Sequence, residues 1–526
     1  MKPSEAVNAE TCGRGGNPGL DSQNQSIEWV RVYGIQASCD DRGVPKSLPF
    51  STPPLHAALL LALALPWILN PSFGPSPIVI QALIAAGAAV LWFLWRPASR
   101  PDAAMLLALA WLAAATVNAG VGLAQHFALI NNSSLWISAS YDREVFGNLR
   151  QRNQLATLLA IGLASAFYLL SRVGGWLRWV LGGCIVLMSV VCALTSSRTG
   201  MIHWILLCAA ALLFPLRGAP AAWRGWSFLA AASYALTMAL VPAMIERVAG
   251  GASCVSRKVL WQNALHMAAE RPWTGWGLGE LDYAHYATLY PGERFCLILD
   301  NAHNLVLHAA VELGTPFALL MVVAALAVLV IGRPWRERDP ARLLGWAVLA
   351  VIMLHSMVEY PLWYGPFQLA VLLAATLLWP GGSLRTSQAS SRLRPLTCGL
   401  AAVLILYVSW DYHRVAQIYL LPTERSILYP SGVSMTDRHT VLFRSQVEFA
   451  QFTTTDVSSA NAGPMALLGE RVLHYSPEPQ VVEKLIDALN LLGLTDRAAW
   501  HEARFLAAFP EEHAQWVKRR QGKPLP

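Results

Sequence analysis

The sequence predicts an all-α, polytopic membrane protein, and three observations carry that reading. Of 526 residues, 55% are hydrophobic and only 13% are charged, where a soluble domain carries about 25% charged residues. The apolar residues gather in repeated runs, each about the twenty residues that a helix needs to cross a bilayer. Arginine collects in alternate short loops between those runs, the bias by which membrane topology is set. The mean hydropathy of +0.41 and the 21 Trp agree with lipid as the solvent, since Trp favours the membrane–water interface. The net charge of +7 lies mostly in the short loops. It is no nucleic-acid signal, and no nucleic-acid partner is expected.

In chain order, residues 1–50 are polar, Gly-rich and aperiodic, with no apolar stretch of signal-peptide type. They are expected to be a disordered or mis-annotated tail. Eleven candidate spans follow, near 54–71, 77–95, 103–125, 153–171, 176–195, 199–216, 225–245, 304–331, 341–359, 362–380 and 396–414. The run 304–331 is too long for one straight span, and Gly314 and Pro316 are expected to break it. Cys184, Cys192, Cys208 and Cys398 lie in or beside apolar runs and read as small buried hydrophobes.

The loops after even-numbered spans hold Arg96, Arg100, Arg172, Arg178, Arg217, Arg224, Arg333, Arg336, Arg338, Arg342, Arg385, Arg392 and Arg394. Among the shortest loops on the other side, Arg198 is the exception to an absence of Arg. The N-terminus is therefore expected inside. With an odd number of spans, residues 416–526 lie outside, which in a bacterium is the periplasm. Residues 51–415 form the transmembrane domain, with a long outer loop at 246–303. The C-terminal domain repeats apolar residues at helical spacing, at Val482, Leu485, Ile486, Leu489 and Leu492, then Trp500, Phe505 and Phe509. Gly493 and Pro510 punctuate them, so a helical hairpin or TPR-like stack is expected.

No Walker loop, HExxH, GxSxG or CxxC pair is present, and no paired carboxylates stand out as a metal site. No cofactor and no metal are expected. Polar residues cluster instead at the outer ends of spans. Arg198 in Ser196-Ser197-Arg198-Thr199-Gly200 is either an anion ligand or an arginine reaching for the interface. Arg257 and Lys258 open the amphipathic run to Glu270; a guanidinium there suits pyrophosphate or a lipid headgroup. His303 lies between Asn301 and Asn304 where the loop re-enters the bilayer, as a proton acceptor or a satisfied interfacial His. His355, Glu359 and Tyr360 form a fourth cluster, since ionisable groups in a span are functional candidates by default.

Five ordered stretches carry a family resemblance: Arg152-Asn153-Gln154-Leu155-Ala156; Ser197-Arg198-Thr199-Gly200; Arg257 with Trp261; Pro272-Trp273-Thr274-Gly275-Trp276-Gly277-Leu278-Gly279; and Asn301-Ala302-His303-Asn304 with Glu312-Leu313-Gly314. From about residue 55 to 415 the chain resembles the bacterial O-antigen ligase and O-antigen polymerase superfamily. His355-Ser356-Met357-Val358-Glu359-Tyr360-Pro361-Leu362-Trp363 and the helical tail resemble its protein O-oligosaccharyltransferase branch, the pilin glycosylation ligases. The resemblance implies a GT-C-like glycosyltransferase in the bacterial inner membrane. It implies a lipid-linked oligosaccharide donor, on undecaprenyl pyrophosphate, and a pilin-like or other periplasmic acceptor protein. It assigns Arg198 and Arg257 to the pyrophosphate and His303 to the acceptor hydroxyl, with Gln154, Asn301, Asn304, His355, Glu359 and Tyr360 in support. O-antigen ligase or polymerase activity is the alternative, and a flippase of lipid-linked glycans is another.

Cys254 and Cys296 are the two Cys of the long outer loop. The periplasm is oxidising, so they are expected to form a disulfide.

Overall fold

The computed structural model describes residues 54–70, 76–97, 99–213, 222–241, 254–379, 388–429 and 440–521. The expected tail at 1–50 lies outside them. The chain divides into two compact units, Met1–Ala58 and Leu59–Pro526. Only residues 54–58 of the first are described; they form the opening turn of helix α1.

Among the described residues the structure is helical, with no β-strand. Helices α1 (Pro54–Ile68), α2 (Pro77–Trp95) and α3 (Arg100–His126) lead into α4 (Arg152–Leu170), α5 (Leu177–Leu194), α6 (Arg198–Leu213) and α7 (Ala222–Leu240). The long loop carries α8 (Arg257–Glu270) and α9 (Leu281–Ala287). Then come α10 (Leu305–Leu313), α11 (Thr315–Gly332), α12 (Pro340–Ser356), α13 (Gly365–Leu378) and α14 (Gln388–Ala416). Six helices are long and apolar enough to cross a membrane, and α1, α6, α12 and α13 are shorter apolar helices. This is a polytopic membrane protein.

Helix α4 is the centre of the packing. Every residue from Gln154 to Leu170 is buried, as expected of a helix apolar on all sides. It packs against α3, α5, α6 and α12. Close approach depends on a small residue: a Cβ on Gly162 would lie 2.5 Å from Ala115 Cβ and 2.7 Å from Met188 Sδ.

The apolar run 304–331 breaks at Gly314, which has φ +88°. A Cβ there would lie 2.3 Å from the Trp273 carbonyl oxygen, and one on Gly275 2.3 Å from that of Glu312. The turn 272–279 thus lies backbone to backbone against Glu312–Gly314. Trp276 N donates to Val311 O at 2.8 Å, Gly277 N to Glu312 O at 3.0 Å and Thr315 N to Pro272 O at 2.8 Å. Cys254 and Cys296 are disulfide-bonded, 5.5 Å apart at Cα.

The C-terminal helices are α15 (Arg444–Thr454), α16 (Ala462–Leu473), α17 (Pro479–Leu491), α18 (Thr495–Ala508) and α19 (Pro510–Gln521). Successive helices pack on one another, with Val482, Leu485, Ile486, Leu489 and Phe505 fully buried. Leu492 and Trp500, expected on the same faces, are exposed at 43% and 39%; Leu492 caps α17 instead of continuing it. The tail docks on α9 of the long loop. His474 Nδ1 lies 2.6 Å from Glu280, Tyr286 OH 3.0 Å from His501 Nδ1, and Arg504 Nε donates to Ala287 O at 2.8 Å.

Candidate functional site

Four helix starts meet at one end of the transmembrane helices, and each brings a polar side chain. Asn153 is in the first turn of α4, Ser197 and Arg198 are at the start of α6, Arg257 opens α8, and His303 and Asn304 precede α10. The unpaired N–H groups and dipole of a helix start favour anions. The caps fix each start: Gln151 accepts from Gln154 N, Ser256 from Val259 N, and Asn304 from Val306 N and Leu307 N.

Glu359 joins these elements. It lies beyond the end of α12, in the loop that leads to α13. One carboxylate oxygen, Oε1, accepts from Arg257 in a salt bridge and from Asn153 Nδ2 at 3.2 Å. The other, Oε2, is 2.6 Å from His303 Nδ1. Ser197 Oγ donates to Asn153 Oδ1 at 2.7 Å, and Gly200 N donates to Ser197 Oγ at 3.0 Å. An unbroken chain therefore runs from the start of α6 through Asn153 and Glu359 to both Arg257 and His303. Burial alone would raise the Glu359 carboxyl, but His303 and Arg257 outweigh it and hold it below the usual carboxylate range. Glu359 is thus the anion of the network at neutral pH.

His303 is held unusually tightly. Its backbone has φ +48°, a region that costs a non-glycine residue of order 1 kcal/mol or more. Asn301 Oδ1 accepts from His303 N at 2.7 Å, an Asx turn that supports this conformation. Tyr360 packs its ring edge-on to His303, 4.8 Å between centroids. With Nδ1 directed at Glu359, the remaining ring nitrogen, Nε2, is the one able to accept a proton. The Arg257 side chain is 39% exposed and that of His303 17%, so both can be reached by a ligand.

The other sequence-derived residues take varied places. Arg198 is exposed at the first position of α6, beside Ser197. Gln154 is buried and hydrogen-bonds Tyr364. Asn304 Nδ2 donates to Met357 O at 3.0 Å and ties the start of α10 to the Glu359 loop. Asn301 Nδ2 is buried and, among the described residues, has no hydrogen-bond partner. His355 is brought to the network only indirectly. It is fully buried, and its Nδ1 meets Thr157 Oγ1 at 2.8 Å. Thr157 in turn donates to Asn153 O at 2.8 Å. Sequence reasoning left Asn153, Ser197 and Thr157 out of the site, although the first two stand in the quoted motifs. Among the described residues no three His, Cys, Asp or Glu side chains gather as a metal site.

Comparison with known families follows the same order along the chain. A protein glycosylation ligase model matches residues 145–170, which contain Asn153 and Gln154. An O-antigen ligase model matches 183–322, with Arg198, Arg257 and His303. The C-terminal model of a virulence factor membrane-bound polymerase matches 343–522, with Glu359 and the helical tail. A general O-oligosaccharyltransferase of Acinetobacter baylyi is 20% identical over 307 residues, 54% of this chain and 53% of that protein. The chain thus spans about half the length of that curated relative. These matches and the ordered motifs agree: the chain is similar to the O-antigen ligase and polymerase superfamily and, within it, to the protein O-oligosaccharyltransferases.

Proposed function

We propose that this protein transfers an oligosaccharide en bloc from a polyprenyl-pyrophosphate carrier to Ser or Thr hydroxyls of proteins outside the cytoplasm, with pilin-like proteins as the acceptor class. The observation that carries this reading is the Glu359 carboxylate shared between Arg257 and His303. It sets a cation suited to pyrophosphate beside an imidazole oriented as a base.

In this mechanism Arg257 and Arg198 hold the pyrophosphate and neutralise the charge that grows on it as it leaves. His303 Nε2 takes the proton of the acceptor hydroxyl while its Nδ1–H stays on Glu359. The hydroxyl oxygen attacks the anomeric carbon from the face opposite the phosphate. The new C–O bond forms as the C–O bond to phosphate breaks, so configuration inverts. The activated donor supplies the energy, and no nucleotide, metal or cofactor takes part.

The topology belongs to the same reading: eleven spans in the bacterial inner membrane, the N-terminus inside, and a TPR-like C-terminal domain in the periplasm. The O-antigen ligase match over 183–322 favours one other acceptor, the lipopolysaccharide core, with the same donor residues. The test is transfer by purified protein from lipid-linked glycan to a pilin-like protein or to lipid A-core. His303→Ala should lower the rate by ~10²–10⁴-fold with donor binding retained. Arg257→Lys should weaken donor binding as well, since an ammonium lacks the bidentate fork. A His303→Ala protein that transfers at the wild-type rate refutes the assignment. Lipid movement without transfer would make the protein a flippase.

A further inference from the structure

Helices α2 and α14 pack together but leave a trough along the apolar faces between them. Two cavities form it and meet at Ile405. One, about 760 Å³, is walled by Ala86, Ala89, Ala401 and Leu404 and ends at Arg96 and Arg394. The other, about 570 Å³, continues past Ile84 to Tyr412. The small side chains of Ala86, Ala89 and Ala401 leave the space of the first cavity between the two helices. From Arg394 to Ile405 the first cavity runs three turns of α14, roughly 16 Å, about the hydrocarbon depth of one leaflet. Arg96 and Arg394 are near enough for their charges to act on each other. They lie at the end of the helices away from the Glu359 network: Arg100, just beyond Arg96, donates to Trp379 O at the far end of α13.

An apolar cavity of leaflet length that ends in two guanidinium groups fits one ligand chemistry. The phosphate of a lipid can lie between the two guanidinium groups, and its acyl chain fills space that water cannot usefully occupy. Basic pockets between transmembrane helices bind acidic headgroups in this way. We propose that the α2–α14 trough is a binding site for one anionic phospholipid, with its phosphate between Arg96 and Arg394 and an acyl chain against Ala89, Ala401 and Ile405. The site is separate from the donor site and does not depend on the catalytic reading.

Native mass spectrometry of the full chain, with phosphatidylglycerol, cardiolipin or phosphatidylethanolamine added, tests this. The wild type should keep one phosphatidylglycerol or cardiolipin under conditions that strip phosphatidylethanolamine. The Arg96→Gln/Arg394→Gln double variant should bind phosphatidylglycerol about thirtyfold more weakly, the effect of two basic side chains at a membrane surface. Ala401→Phe fills the trough without touching charge and should also lose the lipid. Equal retention of the acidic and zwitterionic lipids overturns the proposal. So does undiminished binding by either variant, or a lipid-free dimer in which a second copy covers the trough.

Discussion

Replacing Glu359 by Gln separates the two jobs assigned to the network. The amide is nearly isosteric, but it carries no charge and has one oxygen to accept with. In the wild type the carboxylate accepts from Arg257 through one oxygen and from His303 through the other, and its side chain is only 9% exposed. A hydrogen bond to a charged group is worth about 1.5–3 kcal/mol. If the amide keeps one of the two partners, His303 loses that much of its orientation in the transition state. The rate of transfer should then fall roughly 10- to 150-fold. Donor binding should move the other way. A carboxylate at roughly 6 Å from a phosphate charge, at an effective dielectric near 20, opposes it by about 3 kcal/mol. The Glu359→Gln protein should therefore bind the lipid-linked donor more tightly while turning over more slowly. The assay is single-turnover transfer to a pilin-like acceptor, with donor affinity measured apart from it. A variant that transfers at the wild-type rate, or one that loses donor binding and rate together, would show that Glu359 does not couple the two residues.

Three further outcomes are expected. The Cys254–Cys296 bond has a sequence separation of 42, for which chain entropy gives about 4 kcal/mol; the Cys254→Ser/Cys296→Ser protein should show faster proteolysis of the outer loop, and full alkylation of both wild-type Cys without reductant would contradict the bond. Burial first, with Glu280 and Asp300 adding repulsion, pushes the Asp282 carboxyl up to about 7. The folded state therefore holds a proton that the unfolded chain releases near pH 4, so this carboxyl costs stability progressively as pH rises from about 4 to 7. Asp282→Asn retains an acceptor for Tyr283 N and should raise thermal stability at pH 7 more than at pH 4.5, by at most about 4 kcal/mol. A C-terminal alkaline phosphatase fusion should be active, and an inactive one would reverse the proposed orientation.

The helices were legible because lipid tolerates long apolar runs and little else. Each expected span overlaps a helix among the described residues, six of the helices being long and apolar enough to cross a membrane, and Gly314 breaks the longest run into two where Thr315 and Pro316 start α11. The misjudged boundaries fall where the site is made. The span expected at 341–359 stops as a helix at Ser356, and the one expected from 362 begins at Gly365. Met357, Val358, Leu362 and Trp363 are apolar, so hydropathy continued across them. The backbone had already left the helix there, to carry Glu359 to Arg257 and His303.

That departure also explains why the motifs named the right neighbourhood but not its centre. Arg257 and His303 stand 102 and 56 positions from Glu359, and Asn153 stands 206 away. Nothing periodic links such distances. Short motifs reveal what each segment needs locally: Gly275 and Gly314 for two backbones to touch, Ser256 and Asn304 to start helices, Asn301 to hold His303 in its left-handed turn. They do not reveal which charge answers which. Physical cost supplies that link. A carboxylate this deep persists only with hydrogen-bond or ionic partners on its oxygens, so a buried Glu between two apolar helices implies partners elsewhere in the chain. Three basic residues at polar helix starts carry the family resemblance: Arg198, Arg257 and His303. Two of these three are the partners, and the third is tied to the carboxylate through Ser197 and Asn153.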